Sequence, residues 1–258
     1  MTQDIFYPKV GCFTELYFLL IFLFCPPFFP YAFPPLTFVL MAESTIRWRV
    51  AQYLERRWWR RYLRGKSPGD YLADKRSYWA KTLDQLDWEP VPGRRVLDAG
   101  CGPAGVFILV HDLEKVTALD PLLDSYERDL NVFRQVDYPL VQFRQQPLEK
   151  GLVGEEVFDA IYCFNAINHV DDWDKALDTL TTHARPGTRM VLTSDVHRHS
   201  WLLPIFRALP GDALHPQQHG PEAYRDALQT RGWRVEWEEV LRREAIFDYT
   251  AWVVVLEA

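Results

Sequence analysis

Apolar residues change their spacing several times along the chain, and each spacing predicts a different kind of element. Residues 16–25 are almost wholly apolar, and Pro26, Pro27, Pro30, Pro34 and Pro35 then interrupt an aromatic-rich continuation. From 44 to 64, Ile46, Val50, Tyr53, Leu54, Trp58, Tyr62 and Leu63 recur at three- and four-residue steps with arginines between them, the pattern of an amphipathic helix. Residues 65–69 break that pattern, and 70–86 resume it as a second helix carrying Tyr71, Tyr78 and Trp79. Beyond Pro90, Pro92 and Gly93, short apolar runs alternate with helical patterns. Strands are predicted to end at Val96-Leu97 and to cover 115–119, 140–143, 157–163 and 189–193. Between the last two, Trp173, Ala176, Leu177 and Leu180 share one face of a helix over 171–183. Such alternation predicts parallel strands joined by right-handed crossovers. A final helix over 221–230 leads to strands at 233–240 and 249–256, close enough to form an antiparallel pair at the sheet edge.

The chain divides into an apolar, proline-rich segment (1–40), a pair of preceding helices (41–90) and an α/β domain (91–258). Its 258 residues, 48% hydrophobic, suffice for one such domain with appendages. Three readings of residues 1–40 stand: upstream sequence translated from a mistaken start ahead of Met41, a membrane anchor, or a signal peptide. Ten apolar residues are too few to span a bilayer, and the longer stretch spans only with its prolines inside. The signal reading matches poorly, with Lys9 balanced by Asp4 and no small-x-small site after the apolar run. Charge is uneven: 41–66 hold seven Arg and one Lys against Glu43 and Glu55, and 67–258 carry −11 of the net −6. An acidic body argues against a nucleic-acid partner, and the basic helix suits either docking on the domain or weak contact with a membrane surface through 41–66. With either start or anchor the domain is expected in the cytoplasm, since the basic stretch stays inside. Cys12, Cys25, Cys101 and Cys163 lack metal or CxxC spacing and read as free thiols; no His, Cys, Asp or Glu cluster suggests a metal.

Candidate chemistry gathers at Arg95-Val-Leu-Asp-Ala-Gly-Cys-Gly-Pro-Ala-Gly105, where a buried strand end runs into a tight turn and the apolar helix 106–110. Gly100, Gly102 and Gly105 have Gly-x-Gly-x-x-Gly spacing, which lets a ligand approach the main chain beside outward-pointing amides. That spacing alone also fits a dinucleotide, and Asp120, twenty residues past Gly100, suits a ribose diol in either case. Asp98 tilts the balance, because a carboxylate at this strand tip would face a cationic amine and repel a pyrophosphate.

Together with Asp98, the loop, Asp120, Phe158-Asp159 through Asn165-Ala-Ile-Asn-His169-Val170 and Arg185-Pro186-Gly187, the sequence resembles the class I S-adenosylmethionine-dependent methyltransferases over residues 75–258. The resemblance implies a Rossmann-like, seven-stranded, mostly parallel sheet with an antiparallel C-terminal edge strand and helices on both faces. It implies S-adenosylmethionine as cofactor, with Gly100, Cys101, Gly102 and Gly105 passing under its methionine part and Asp98 near its ammonium. Asp120 would take both ribose hydroxyls, Pro121 and Leu122 would flank adenine, and Phe164 and Asn165 would lie beside the methyl donor. Where the family often has an acidic residue after the third strand, this chain has Gln145 and Gln146, of which Gln146 is the candidate adenine acceptor.

Methyl transfer from a sulfonium is an in-line displacement that needs alignment and exclusion of water, and a base only where the acceptor must lose a proton. His169 is the candidate base; Asp195, His197, His215 and His219 are further titratable groups near strand tips, and Tyr78 and Trp79 are candidate lid residues. Trp201, Leu202, Leu203, Ile205, Phe206 and Leu209 lie in an insertion suited to lining an acceptor pocket. The expected activity is methylation of a small molecule. A lipid- or quinone-like acceptor at a membrane surface, a silent binding module and an NAD enzyme stand as alternatives.

Overall fold

The computed structural model describes residues 36–152, 154, 156–199, 216–217 and 219–258, with side chains from residue 48 onward. Most of the 1–40 segment, Cys12, Cys25, His215 and the apolar insertion from Trp201 to Leu209 therefore lie outside the described residues, and Ile46 falls where the backbone alone is described. Helices α1 (Leu36–Tyr62) and α2 (Pro68–Gln85) precede the sheet. The domain then runs β1 (Arg95–Ala99), α3 (Phe107–Val110), β2 (Lys115–Leu119), α4 (Leu123–Asp129), β3 (Gln142–Arg144), β4 (Phe158–Phe164), α5 (Trp173–Thr182) and β5 (Ala184–His197). It ends with α6 (Pro221–Gln229), β6 (Trp233–Arg243) and β7 (Phe247–Leu256). The seven strands lie in the order β3-β2-β1-β4-β5-β7-β6, with β7 antiparallel to both neighbours. This is the expected architecture, a parallel sheet whose order reverses between β1 and β4 and whose edge is an antiparallel pair.

Burial follows the alternation of side chains across the strands. Val96, Ala118, Tyr162, Val191 and Val253 face a core shared with α2, α3 and α4. Leu97, Leu119, Ile161, Leu192 and Trp252 face another core, shared with Leu177 and Leu180 of α5 and Tyr224 of α6. All four residues assigned to the apolar face of α5 are buried. Asp172 caps that helix by accepting a hydrogen bond from Lys175 N at 3.0 Å.

Several boundaries differ from the sequence expectation. Helix α1 begins at Leu36 rather than 44, so it crosses the composition change at residue 40. β3 starts at Gln142 because Val141 N bonds back to the Tyr138 carbonyl at 3.0 Å, closing a turn that leaves Leu140 exposed. Arg185-Pro186-Gly187 is a bulge inside β5 rather than a turn before it: Phe158 pairs with Ala184 and Ala160 with Arg189. Gly187 has φ +86°, and Thr188 Oγ1 accepts from Arg185 N at 3.0 Å, closing the bulge. Asp159, part of the Phe-Asp pair, serves this construction. Its carboxylate accepts from Arg95 N at 3.0 Å and pairs with the Arg185 side chain, and the Arg95 N–H is the main reason its pKa falls below the usual range.

The segment before β4 is held by His183. Leu152 N donates to its Nε2 at 2.9 Å, so the ring proton is on Nδ1, which donates to the Glu156 carbonyl at 2.7 Å. With the ring buried, His183→Ala removes both bonds and leaves the Leu152 amide unpaired. The expected loss is about 2–3 kcal/mol, measured by urea unfolding.

Candidate active site

β1 delivers Asp98 to its C-terminal end, and the glycine loop wraps around the carboxylate. Asp98 Oδ2 accepts from Phe107 N, at the start of α3, at 2.9 Å. A Cβ on Gly105 would fall 2.6 Å from Asp98 Oδ2 and 2.4 Å from the Cys101 carbonyl, so only glycine lets the loop pass this closely. Gly100 (φ +71°) and Gly102 (φ +58°) adopt the left-handed region, and Gly100 N and Cys101 N bond to the Leu119 carbonyl at 2.7 and 3.1 Å. The loop is thereby tied to the end of β2, where Asp120 follows.

Asp120 is anchored at both oxygens. Oδ2 accepts from Gly102 N at 3.0 Å and Oδ1 from Leu122 N at 2.8 Å, leaving each oxygen further acceptor capacity. Burial pushes Asp98 and Asp120 each up to about 7; at Asp120 the nearby Glu55 carboxylate adds to the rise. Among the described residues, no basic side chain is one of the groups that set either value. Two buried carboxylates for which no compensating cation is found among the described residues make a site that favours a positively charged ligand and hydroxyl donors. Burial also holds the Cys101 thiol up, so it sits beneath the loop as a neutral group.

Both preceding helices cover this edge. Trp79 of α2 donates from Nε1 to the Ala104 carbonyl at 2.9 Å, and its ring lies 4.8 Å from that of Phe164 at the tip of β4. Tyr78 is only half-buried beside it, 4.7 Å between centroids. From α1, Trp59 lies 3.9 Å from where a Gly102 Cβ would be and 6.2 Å from the Tyr126 ring, while Glu55 Oε1 accepts from Tyr126 Oη at 3.0 Å. Helix α1 docks by the stripe Ala51, Gln52, Trp59 and Leu63, and Val50 and Tyr53 point to solvent.

Past Phe164 the chain turns at Asn165, a non-glycine residue with φ +49°. Its amide donates to Thr193 Oγ1 at 2.9 Å, and Thr193 Oγ1 meets Tyr249 Oη at 2.7 Å, so the tip of β4 is braced by β5 and β7. Beyond it on the same face, Asp195 Oδ1 lies 3.8 Å from Arg242, whose guanidinium is 5.4 Å from the Tyr249 ring centroid.

The predicted site residues thus separate into groups. Asp98, Gly100, Cys101, Gly102, Gly105 and Asp120 converge at the ends of β1 and β2, with Pro121 and Leu122 following directly; Phe164 and Asn165 end β4 beside them. Gln146 donates to the Gly151 carbonyl, whereas Gln145 Oε1 accepts from Asp124 N at 2.6 Å, at the start of α4. Half-buried His169 lies in the loop after β4, its amide bonded to the Ala166 carbonyl at 3.0 Å. His197 is buried against Phe247, ring centroids 4.6 Å apart, while His219 stacks on Trp173 at 3.9 Å, toward α5. Sequence reasoning missed Glu55 and Trp59 as neighbours of Asp120 and Gly102. Their spacing over one helical turn was the available signal, but it reads equally as docking surface.

Residues 71–238 match the family described as methyltransferase domain, and the chain belongs to that family. It is an S-adenosylmethionine-dependent methyltransferase. Among solved structures, the YcgJ protein of Bacillus subtilis is 13% identical with a TM-score of 0.56, covering 70% of this chain and 98% of that one. The 1,6-didemethyltoxoflavin-N1-methyltransferase of Burkholderia thailandensis, solved with 1,6-didemethyltoxoflavin and S-adenosylhomocysteine, is 17% identical with a TM-score of 0.53, covering 91% and 95%. The N-methyltransferase NodS of Bradyrhizobium japonicum is 14% identical with a TM-score of 0.51, covering 72% and 96%. No curated protein matches the chain. Among the described residues, no helix is long and apolar enough to cross a membrane.

Proposed function

We propose that this methyltransferase acts on a small-molecule acceptor and that its cofactor lies over the ends of β1, β2 and β4. The observation that carries the placement is the pair of anchored, buried carboxylates, Asp98 and Asp120, beside a glycine loop and, among the described residues, without a compensating cation. Asp98 would hold the ammonium, Gly100 to Gly105 the methionine backbone, and Asp120 the ribose hydroxyls. Pro121 and Leu122 would flank the adenine, Gln146 would accept its amino group, and Phe164 and Asn165 would border the methyl. S-adenosylmethionine supplies an electrophilic methyl group whose leaving group is a neutral thioether. The chain's part is then to orient the acceptor and keep water out: Trp79 and Phe164 form an apolar wall, and the Asn165-Thr193-Tyr249 brace fixes the strand tip. His169 is the proposed base for an acceptor that must lose a proton. The bound heterocycle in the Burkholderia enzyme supports a small acceptor by likeness of fold.

Titration calorimetry with S-adenosylhomocysteine tests the placement. The expected result is one site per chain with a dissociation constant in the micromolar range, weakened about 100-fold by Asp120→Ala, which removes a charged acceptor. Equal affinity in that variant would place the ribose elsewhere.

A further inference from the structure

Helix α1 has two sides, and only one of them meets the domain. Residues 49–64 hold six arginines against a single acid, Glu55, whereas 67–258 carry −11. At 3.6 residues per turn, Arg49, Arg57, Arg60 and Arg61 fall within about one third of the helix circumference. Arg64 continues the row in the closing turn, where its amide bonds to the Arg61 carbonyl at 3.3 Å. All five are exposed, and Val50 and Tyr53, 44% and 49% exposed, stand among them. The docking stripe of Ala51, Gln52, Trp59 and Leu63 occupies the other side of the helix. Among the described residues, none of the five guanidinium groups has an ion pair. Asp129 is held low first by Arg128, bonded at 2.9 Å, and more weakly by Arg60.

A face that only kept the helix soluble would mix its signs. Here 57 and 61, and 60 and 64, stand four apart, while 57 and 60, and 61 and 64, stand three apart, so each neighbouring pair repels. An opposing layer of anions removes that repulsion, and the layer must also accommodate Val50 and Tyr53. A bilayer surface does both: guanidinium groups meet phosphate and carboxylate headgroups, and the two apolar side chains enter the interfacial layer. A nucleic-acid backbone offers Val50 no apolar contact. Toward its N-terminus the same helix passes into Leu36-Thr-Phe-Val-Leu40, apolar sequence that prolongs a surface helix, and no helix among the described residues is long and apolar enough to cross.

We propose that the outer face of α1 binds an anionic phospholipid surface, the helix lying flat with its arginines over the headgroups while its other side stays docked on the domain. The contact is peripheral, reversible and weakened by salt. It does not depend on where the cofactor binds.

Co-sedimentation of the full chain with vesicles of phosphatidylcholine, with and without about one third phosphatidylserine, tests the proposal. The wild type is expected to bind the anionic vesicles, to bind the neutral ones about tenfold more weakly, and to be released by about 0.5 M salt. Arg57→Gln/Arg61→Gln/Arg64→Gln is expected to lose about 100-fold in affinity, near fivefold for each charge, and Arg57→Lys/Arg61→Lys/Arg64→Lys to stay within about threefold of the wild type. Val50→Ser/Tyr53→Ser is expected to lose about tenfold with an unchanged salt dependence. All these positions are exposed, so the variants should unfold with the wild type in urea. No binding to anionic vesicles, equal binding to both vesicle types, or a Gln variant that binds as well as the wild type would overturn the proposal. So would a Lys variant that loses as much as the Gln variant, or retention on duplex RNA in place of the vesicles.

Discussion

Replacing Asp98 with Asn is expected to weaken S-adenosylhomocysteine binding about 100-fold at pH 8 while raising the temperature at which the ligand-free protein unfolds. The two effects have opposite signs because they have one cause. Buried Asp98 ionises only at about 7, against 3.8 for an ordinary aspartate, because its charge is poorly solvated and, among the described residues, just the Phe107 and Val106 amides favour it. A group whose pKa is raised by folding contributes stability below its unfolded value, and that contribution is lost as pH rises through the folded value. At pH 8 the ligand-free wild type therefore carries the full cost of the buried charge, and the neutral amide does not. The ammonium of the ligand needs that charge, so the stabler variant binds worse.

The same groups predict the pH dependence of binding. Asp120 also ionises at about 7, facing Glu55 of α1, Tyr126 of α4, Cys101 in the loop and Asp98 on β1. A ligand that favours the ionised carboxylates must displace their protons below pH 7. Affinity is thus expected to climb between pH 5 and 7 and to level above, at up to about tenfold per pH unit for each group. Asp98→Asn removes one of the two contributions. Calorimetry across pH 5 to 8.5 should give a visibly shallower slope for the variant than for the wild type.

Gly100→Ala is expected to cost about 3–4 kcal/mol of folding stability, enough to lower the unfolding temperature by roughly 10 °C in a domain of this size. The residue sits at φ +71°, where a Cβ is strained by about 1–2 kcal/mol, and that Cβ would fall 2.2 Å from Ala166 Cβ. Ala166 belongs to the braced turn after β4, where Asn165 N is bonded to Thr193 Oγ1 at 2.9 Å, so it cannot retreat freely. The double variant Gly100→Ala/Ala166→Gly should recover the steric part, about half of the loss, and leave the backbone part. Urea unfolding of the single and double variants separates the two.

Much of the parallel half was legible in the chain because β2 and β4 are short apolar runs bounded by turn residues, and such runs announce themselves locally. Lys115–Leu119 matches its expected boundaries, and β4 is displaced by one residue. The glycine loop was equally plain, since left-handed backbone and a Cβ-free approach to Asp98 demand glycine whatever lies around them. By contrast, the bulge in β5 looked like an ordinary turn, because Arg185-Pro186-Gly187 has the same local chemistry in either setting. Only its pairing with Phe158 and Ala160 distinguishes them.

The sequence by itself determined the parallel strands with their crossovers, the antiparallel pair at the end, the loop and the acidic residues at the ends of β1 and β2, because each is written in residues close together. What lies opposite those carboxylates was decided by the tertiary structure alone. Glu55 is 65 positions from Asp120 in the sequence and occupies a helix whose amphipathic pattern says only that one side is buried. Which partner the buried side meets is set by docking across the sheet, and no local spacing encodes a contact of that range.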